Sequence, residues 1–294
     1  MKNLIEAFAW AEEKKVAIGH FNIANIEMLK GVYSAAKKVS SEMGEKIPVV
    51  IGASDGERGY IGSPEVVSII RTMREADDYP IFLNADHSDT AELAKQAVDD
   101  GFDMVIIDEA EKSLEENIKN SKEVVSYAKE KGYQGLIEGE VGYIGSGSSI
   151  LQDIPEGAAI TIDAVASVED CKRYVEETGV DLLAPAVGNI HGMIAKGKNP
   201  HLFIERIKEI KEAVNIPLVL HGASGIPDED ISPAIKAGIN MIHVSTEIRK
   251  AWRQATDYSL EKDPDQIAPY KLTPLVIEAI EKVVVEKLRL FNNL

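Results

Sequence analysis

Four residues that commonly bind metals or transfer protons stand after apolar runs of the chain. Asp86 and His87 follow PIFLNA, His191 follows LLAPAV after a short connection, and His221 ends IPLVLH. A single histidine usually has a structural role. Three imidazoles delivered by separate elements to one rim are instead the ligand set of a catalytic zinc site with an open position. The pattern therefore predicts a metal site made by His87, His191 and His221.

Carboxylates accompany these histidines in a way that suits the same chemistry. Asp108 ends the run MVIID, and Glu138 and Glu140 are two residues apart, so they share one face of a strand. Asp108 and Glu140 are interpreted either as further metal ligands or as partners that orient an imidazole. For Glu138, a place in the polar layer of a barrel interior is an equally good interpretation.

A second cluster, HGASG at residues 221–225, consists mainly of small residues that let backbone N–H groups approach an anion. A helix is predicted after it, and the N-terminus of a helix favours phosphate. Ser245 and Thr246 begin a later helix, where they either complete this site or only cap the helix. Because the net charge is −17, a phosphate site needs local positive charge from a metal ion, helix N-termini or basic side chains.

The elements that must position these residues alternate between short apolar runs and amphipathic stretches. Eight strands are predicted, each rich in Val, Ile or Leu and bounded by Gly, Pro, Asn or Asp. They cover residues 16–21, 47–52, 80–86, 103–108, 135–141, 182–187, 216–221 and 240–245. Helices are predicted at 25–43, 64–76, 89–100, 115–131, 167–178, 200–213, 228–237, 246–258 and 274–292.

The repeated strand–helix unit predicts an α/β protein with a single (β/α)8 TIM barrel over residues 1–294. The phrases DDGFDMVII, ETGVDLLAP and KAGINMIHV share one pattern, in which a helix ends at Gly and a buried strand follows. An open doubly wound sheet is the alternative, but HFNIAN after the first strand lacks the Gly-rich turn of that fold. In a barrel the catalytic groups lie at the carboxyl ends of the strands, where the residues above fall.

Composition narrows the partners and the compartment. The net charge of −17 disfavours nucleic acid and anionic membranes as partners. The one cysteine, Cys171, permits no intrachain disulfide and is interpreted as a small core residue. No signal peptide is evident in MKNLIEAFAWAEEKK, and no apolar run reaches the length of a membrane span. A cytoplasmic protein is expected.

Eight segments, in order over nearly the whole chain, resemble the class II (zinc-dependent) fructose- and tagatose-bisphosphate aldolases. They are GHFNIANIE, ASDGERGYIG, NADHSD, VIIDEAEKSLEENI, IEGEVGYIG, AVGNIHGMIAKG, LVLHGASGIPDEDI and INMIHVSTEIRKAW. Each falls at the position in the predicted barrel that the family gives it. The resemblance implies an aldehyde-lyase of carbohydrate metabolism such as glycolysis, which reversibly cleaves a phosphorylated ketose to dihydroxyacetone phosphate and an aldehyde.

The resemblance also implies roles for residues and cofactors. Zn²⁺ polarises the substrate carbonyl, a second divalent ion and a monovalent cation can accompany it, and relatives form dimers or tetramers, so a homo-oligomer is expected. By position, the resemblance implies that the zinc ligands are His87, His191 and His221, and that Asp108 and Glu140 hold a second or displaced ion. Asp86 corresponds to the acid that protonates the aldehyde oxygen.

The ketone-side phosphate is bound, by the same resemblance, by two groups of residues: Gly192, Gly222, Ala223 and Ser224, and the closing segment His243, Val244, Ser245 and Thr246.

The sequence departs from the family at sites that bear on the substrate. The loop GSGSSILQDIPEGA lacks the acidic motif that supplies the base, for which Asp153 and Glu156 are the candidates. His243 stands where the family has a substrate-contacting Asn, and Ala223 replaces a Gly. Ser54, Arg58 and Arg249 are candidate contacts for a second phosphate.

Several functions therefore stay open. Fructose 1,6-bisphosphate is the first expected substrate, with tagatose 1,6-bisphosphate or another phosphorylated sugar as the alternative. A non-catalytic barrel that binds zinc or sugar phosphate is a further alternative. A metal-dependent hydrolase on the same barrel is disfavoured, because the first strand carries no His-x-His pair.

Overall fold

The computed structural model describes residues 1–145 and 147–294 and contains a closed barrel of eight parallel strands. In chain order the strands are β1 (Ile18–Asn22), β2 (Val49–Ser54), β3 (Ile81–Ser88), β4 (Met104–Ile107), β5 (Leu136–Val141), β6 (Ile150–Leu151), β7 (Leu182–Pro185), β8 (Met193–Ile194), β9 (Leu218–Leu220) and β10 (Ile239–Val244). Around the barrel the order is β1, β10, β9, β7, β5, β4, β3 and β2, while β6 and β8 pair separately. The predicted (β/α)8 architecture is confirmed.

Helices fill the connections and cover the outside of the barrel. They are α1 (Leu4–Lys14), α2 (Ile26–Met43), α3 (Asp55–Ile61), α4 (Ser63–Asp77), α5 (Ala91–Asp100), α6 (Leu114–Glu130), α7 (Val168–Thr178), α8 (Ile204–Val214), α9 (Asp228–Ala237), α10 (Thr246–Lys262), α11 (Pro269–Leu272) and α12 (Pro274–Phe291). Short helices α3 and α11 and the N-terminal α1 were not among the predicted elements. Helices α5 and α7 end at Gly101 and Gly179, both with positive φ (+86° and +70°), as the repeated loop pattern predicts.

Two apolar cores result from the strand alternation. The larger one lies between the outward faces of the strands and the helices, and it includes Cys171, which is fully buried as predicted. The second fills the amino-terminal half of the barrel interior. Helix α1 closes that end, because its buried face, with Leu4 and Phe8, packs on the interior core. The interior is thus sealed at the amino-terminal end and open to ligands at the carboxyl end.

The long connection after β5 lies at the carboxyl end, as predicted. Ser146, within the predicted loop 142–160, lies outside the described residues. Strand β6 of this connection pairs with β8, which follows β7, so the two connections are joined by a small parallel sheet. Within residues 1–145 and 147–294, no helix has both the length and the apolar character of a membrane span.

Candidate metal and phosphate site

A cavity of about 290 Å³ opens at the carboxyl ends of the strands. It collects residues from both ends of the chain, because parallel strands end on the same side of a barrel. The residues of the predicted site that line it are Asp86, His87, Asp108, His191, Gly192, Gly222, Ser224, His243, Ser245 and Thr246. The cavity is therefore the meeting point of the residues that the sequence singled out.

Three histidines from separate segments converge at this end of the barrel: His87 and His191 line the cavity, and His221 is buried beside them. The ring centroid of His87 lies 4.8 Å from that of His191 and 4.9 Å from that of His221. One nitrogen from each ring falls within 4.8 Å of the others. This spacing allows three imidazoles to share one ion, as a catalytic zinc site requires.

Two of these imidazoles are oriented by a hydrogen bond on the nitrogen that faces away from the shared space. His191 uses Nδ1 toward the carbonyl oxygen of Gly145 at 2.8 Å. His221 uses Nε2 toward Glu138 Oε1 at 2.7 Å. The remaining nitrogens, Nε2 of His191 and Nδ1 of His221, are left for a ligand. A carboxylate behind an imidazole is the usual second partner of a metal-binding histidine, so Glu138 orients His221.

Unpaired buried atoms surround the point where the histidines converge. Glu140 Oε1 lies 3.0 Å from His87 Nδ1 and 3.3 Å from His221 Nδ1, and Asp108 Oδ2 lies 2.8 Å from the same His87 atom. Glu140 Oε1 and His221 Nδ1 are buried without a hydrogen-bond partner among the described residues. A buried unpaired polar atom costs about 1–3 kcal/mol. A cation would satisfy both atoms, so the donor set fits a divalent metal ion.

The carboxylates of the site set the charge of the imidazoles. Burial by itself lowers the pKa of His221, but Glu140 and Glu138 outweigh this effect and raise it to about 10. Burial lowers the pKa of His191 to about 4, and His87 adds to the effect. The carboxylates therefore stabilise positive charge at His221, while the neutral ring of His191 offers a free lone pair. Both features favour the binding of a divalent cation.

A β-bulge brings Asp86 and His87 into the cavity together. Neighbouring residues of a regular strand point to opposite faces. Here the register between β3 and β4 shifts between Ala85 and Ser88, and His87 adopts a left-handed backbone with φ +51°. Both side chains consequently line the cavity. Bulges and strained backbone of this kind occur at functional sites, where they redirect side chains.

Arg58 stabilises this bulge through hydrogen bonds. Its guanidinium is buried and donates to the backbone oxygens of Asp86 and His87 and to Ser88 Oγ, at 3.2 to 3.4 Å. It does not line the cavity. The structure therefore gives Arg58 a supporting position and not the predicted position of a phosphate contact, because its donors are engaged by the backbone of β3.

Asp86 is held by residues that the sequence analysis missed. Asn22 Nδ2 donates to Asp86 Oδ2 at 2.6 Å and also to Glu57 Oε2 at 2.9 Å. Glu57 is buried and accepts from Arg249 Nη2 at 2.6 Å. This chain of contacts joins β1, α3 and α10 around the predicted acid. The signal that could have indicated Asn22 is its place at the end of β1, inside FNIAN.

The other side of the cavity has the features of an anion site. Gly192, Gly222 and Ser224 line it, together with Ser245 and Thr246 at the start of α10. Gly222 has φ +62°, and a Cβ there would lie 2.2 Å from the carbonyl oxygen of Ile190. Only glycine therefore fits this turn.

The helix that points at the cavity is α10, and not the helix predicted after HGASG. Helix α9 begins at Asp228 with three acidic residues in its first turn, and none of them lines the cavity. Ser245 precedes α10, but its side chain makes no capping hydrogen bond, and its buried Oγ is unpaired among the described residues. The positive end of α10 and this hydroxyl are therefore both available to an anion.

Several predicted residues do not line the cavity, and among them are the metal-site residues Glu140 and His221, which are buried. Ala223 and Val244 are buried and do not line it: the N–H of Ala223 donates to the carbonyl oxygen of His243 at 3.2 Å, and Val244 packs in the core toward the helices. Asp153 and Glu156, the candidate bases, are exposed and do not line the cavity. Ser54 and Arg249 do line it.

Comparison with known proteins identifies a family and several relatives of this chain. The family model described as class-II fructose-bisphosphate aldolase matches residues 2–294. The chain is 36% identical, over 100% of its length and 95% of the relative's, to 6-phospho-5-dehydro-2-deoxy-D-gluconate aldolase of Bacillus velezensis. It is 35% identical, over 95% of its length and 92% of the relative's, to fructose-bisphosphate aldolase of Geobacillus stearothermophilus.

A solved structure shows the same architecture. The crystal structure of the YdjI aldolase from Escherichia coli K12 superposes with a TM-score of 0.78 at 30% sequence identity, and the match covers 99% of this chain and 97% of that one. The similarity extends over the full barrel, including the segments that line the cavity.

Proposed function

Because the chain belongs to the class II fructose-bisphosphate aldolase family, and is therefore an aldehyde-lyase, we propose that its cavity cleaves a phosphorylated ketose in a zinc-dependent retro-aldol reaction. The products are dihydroxyacetone phosphate and an aldehyde. The observation that carries the proposal is the convergence of three histidines beside Asp86, opposite an anion site. A single (β/α)8 domain over 1–294, a homo-oligomer and a cytoplasmic location stay predictions.

His87, His191 and His221 hold Zn²⁺ in this proposal. Asp108 and Glu140 lie close enough to His87 to receive a second or displaced ion. A bound zinc ion supplies a Lewis acid that polarises the ketone carbonyl of the substrate. The bond between Glu138 and His221 keeps one ligand ring in a fixed orientation, which favours metal binding.

The phosphate of the ketone half is bound by the anion side of the cavity. Gly192, Gly222 and Ser224 provide backbone and hydroxyl donors, and Ser245 and Thr246 present the N-terminus of α10. This arrangement supplies the local positive potential that the net charge of −17 otherwise opposes. Binding the phosphate there places the carbonyl of a three-carbon unit toward the histidines.

Asp86 transfers the proton on the aldehyde side. In cleavage its carboxylate accepts the proton of the hydroxyl that becomes the aldehyde oxygen, and in condensation it returns that proton. Asn22 fixes the orientation of the carboxylate through a 2.6 Å hydrogen bond. For Asp153 or Glu156 to act as the base on the ketone side, the loop after β5 has to move toward the cavity, because neither residue lines it.

Fructose 1,6-bisphosphate is the first proposed substrate, and tagatose 1,6-bisphosphate or another phosphorylated sugar is the alternative. The relatives support this range: one is named for fructose bisphosphate and another for 6-phospho-5-dehydro-2-deoxy-D-gluconate. The alternative substrates are supported by His243, which lines the cavity at the position where the family has Asn.

A coupled assay for aldol cleavage tests the proposal. The purified protein, loaded with Zn²⁺, is mixed with one of three compounds: fructose 1,6-bisphosphate, tagatose 1,6-bisphosphate or 6-phospho-5-dehydro-2-deoxy-D-gluconate. Formation of dihydroxyacetone phosphate or the corresponding three-carbon product is measured. Cleavage of at least one compound, lost in Asp86→Asn with zinc still bound, is expected. Stoichiometric zinc without cleavage of any compound would favour the non-catalytic sugar-phosphate-binding barrel.

A further inference from the structure

Three imidazoles form a continuous stack across adjacent strands of the barrel interior. His20 of β1 lies face to face with His243 of β10, with ring centroids 3.5 Å apart and planes 6° from parallel. His243 also stacks on His221, at 4.2 Å and 23°. His20 and His243 are register partners in the sheet, so the pairing of β1 with β10 sets the first contact directly.

The imidazole of His20 is held in one position by its neighbours, although His20 has no role in the mechanism above. Its side chain is fully buried. A Cβ on Gly52 of β2 would lie 2.2 Å from His20 Cε1, so a larger residue at position 52 would displace the ring. Asn84 Nδ2 lies 3.0 Å from His20 Nε2 and fixes the rotation of the ring. Burial lowers the pKa of His20 to about 4, so the stack involves a neutral ring.

His243 is the member of the stack that meets the substrate cavity on the side of the acid. It lines the cavity, and its Nδ1 lies 3.4 Å from Asp86 Oδ1. In the retro-aldol cleavage of a ketose bisphosphate, the hydroxyl that gives its proton to Asp86 is on C4. Fructose and tagatose 1,6-bisphosphate differ only in the configuration at that carbon. A ring fixed beside Asp86 is therefore placed to distinguish the two.

The group of His20, Asp86 and His243 has the composition of a metal site, but the stack argues against that use. The lone pairs of an imidazole lie in the plane of its ring, and the planes of His20 and His243 are nearly parallel and 3.5 Å apart. Two such lone pairs run side by side and do not converge on one ion as tetrahedral coordination requires.

We propose that His20 is a positioning residue, which fixes the ring of His243 through the face-to-face stack and thereby makes His243 the residue that selects the configuration at C4 of the ketose. This inference rests on the proposed aldolase function and on the place of Asp86 in it. It goes beyond that function by assigning a role to a residue of the barrel interior that does not reach the cavity. His20 acts only through His243.

A double-mutant cycle tests this dependence. The ratio of kcat/KM for fructose 1,6-bisphosphate to that for tagatose 1,6-bisphosphate is measured for wild type, His20→Leu, His243→Asn and the double variant. Loss of one oriented hydrogen bond is expected to change the ratio about tenfold in His243→Asn. His20→Leu should change it in the same direction by less, and should have no further effect when His243 is already Asn. His20→Phe, which retains a flat ring, should stay near wild type.

Two results would overturn the proposal: an unchanged ratio in His243→Asn, or equal effects of His20→Leu with and without His243. Met104→Ala is the matched control, because it truncates a buried side chain on β4, across the barrel from β10. It should lower the melting temperature without altering the ratio. Zinc-loaded wild type that cleaves none of the three compounds above contradicts the proposed function itself.

A spectroscopic measurement tests the positioning role without any substrate. The chain has six histidines, so selective ¹³C,¹⁵N-histidine labelling gives a resolvable spectrum. Ring signals of His243, assigned through His243→Asn, should shift in His20→Leu and shift less in His20→Phe, while those of His201, which is exposed, stay in place. Signals of His243 that do not respond to His20→Leu would refute the stack as the positioning device.

Discussion

The two halves of the barrel interior are built from the same strands but have opposite chemistry. In the amino-terminal half, inward side chains are apolar and closely packed; two residues further along five of the strands, the inward position is polar. The pairs are Ile18 and His20, Phe82 and Asn84, Leu136 and Glu138, Val219 and His221, and Met241 and His243. Side chains of a strand alternate between its two faces with a period of two residues. The inward face therefore changes from apolar core to polar site between one inward residue and the next.

This difference separates stability from function within each strand. The apolar half contributes hydrophobic burial and is closed by α1. The polar half contains buried atoms without partners among the described residues, including Glu140 Oε1 and His221 Nδ1, and these cost stability unless a ligand satisfies them. Substitutions in the two halves should therefore affect different observables.

The largest expected effect on catalysis is that of Asp86→Asn. The amide retains the shape but cannot transfer the proton, so kcat should fall by about 10²- to 10⁴-fold. Zinc content should be unchanged. The control is Asp103→Asn at the amino-terminal end of the barrel, where the carboxylate pairs with Arg74; it should leave kcat near wild type. A kcat for Asp86→Asn within a few-fold of wild type would remove Asp86 from the mechanism.

In the apolar half, Leu182→Ala should lower stability and leave the chemistry intact. Leu182 is buried in the interior core, and the cavity left by truncation costs about 2–5 kcal/mol in the free energy of unfolding. Urea denaturation measures this change, and kcat per zinc-loaded molecule should stay near that of wild type. A loss of zinc affinity equal to that of a ligand variant would show that the halves are not separable.

Glu138→Gln tests whether the buried carboxylate next to His221 contributes to zinc binding. Gln can still contact His221, but the charge behind the ring is lost, so zinc affinity should fall by about 10- to 100-fold. Competition with a fluorescent chelator measures it. Glu109→Gln is the control, since Glu109 is a buried carboxylate that pairs with Lys112 outside the histidine group. Equal losses of affinity in both variants would mean that general charge, and not orientation of His221, sets zinc binding.

The smallest effect is expected at Cys171. Burial raises the pKa of its thiol to about 12, so the thiol stays protonated from neutral pH up to pH 10. Because the thiolate is the reactive form, alkylation by iodoacetamide at pH 8 should be negligible in the native protein and complete after unfolding. Mass spectrometry of the intact chain follows the reaction. Rapid native alkylation would contradict the burial of α7 against the core.

Much of the barrel could be predicted from the sequence because its signals are local. Strands such as VVIG and helices that end at Gly101 and Gly179 are encoded by neighbouring residues, and all eight barrel strands overlap their predicted ranges. Helix α4 begins at Ser63, one residue before the predicted start at residue 64, and its cap is Gly62. That error of one residue reflects the weak distinction between a capping serine and a first-turn serine.

The site could be predicted only where position in a strand was sufficient. His87, His191 and His221 were recognisable because they follow apolar runs. The bulge at His87 was not, because a positive φ is uncommon even for histidine, so the residue type alone does not indicate the left-handed backbone that it adopts there. Contacts such as Asn22 with Asp86 join residues 64 positions apart, and no local pattern records them.

Metal removal tests the central claim most directly. Zinc is stripped with a strong chelator, and aldol cleavage and far-ultraviolet circular dichroism are measured before removal, after it, and after zinc is restored. Cleavage should disappear and return with zinc, while the helical signal persists throughout, because the apolar half maintains the barrel. Full cleavage by protein shown to be free of metal would contradict the assignment of His87, His191 and His221 as the zinc site.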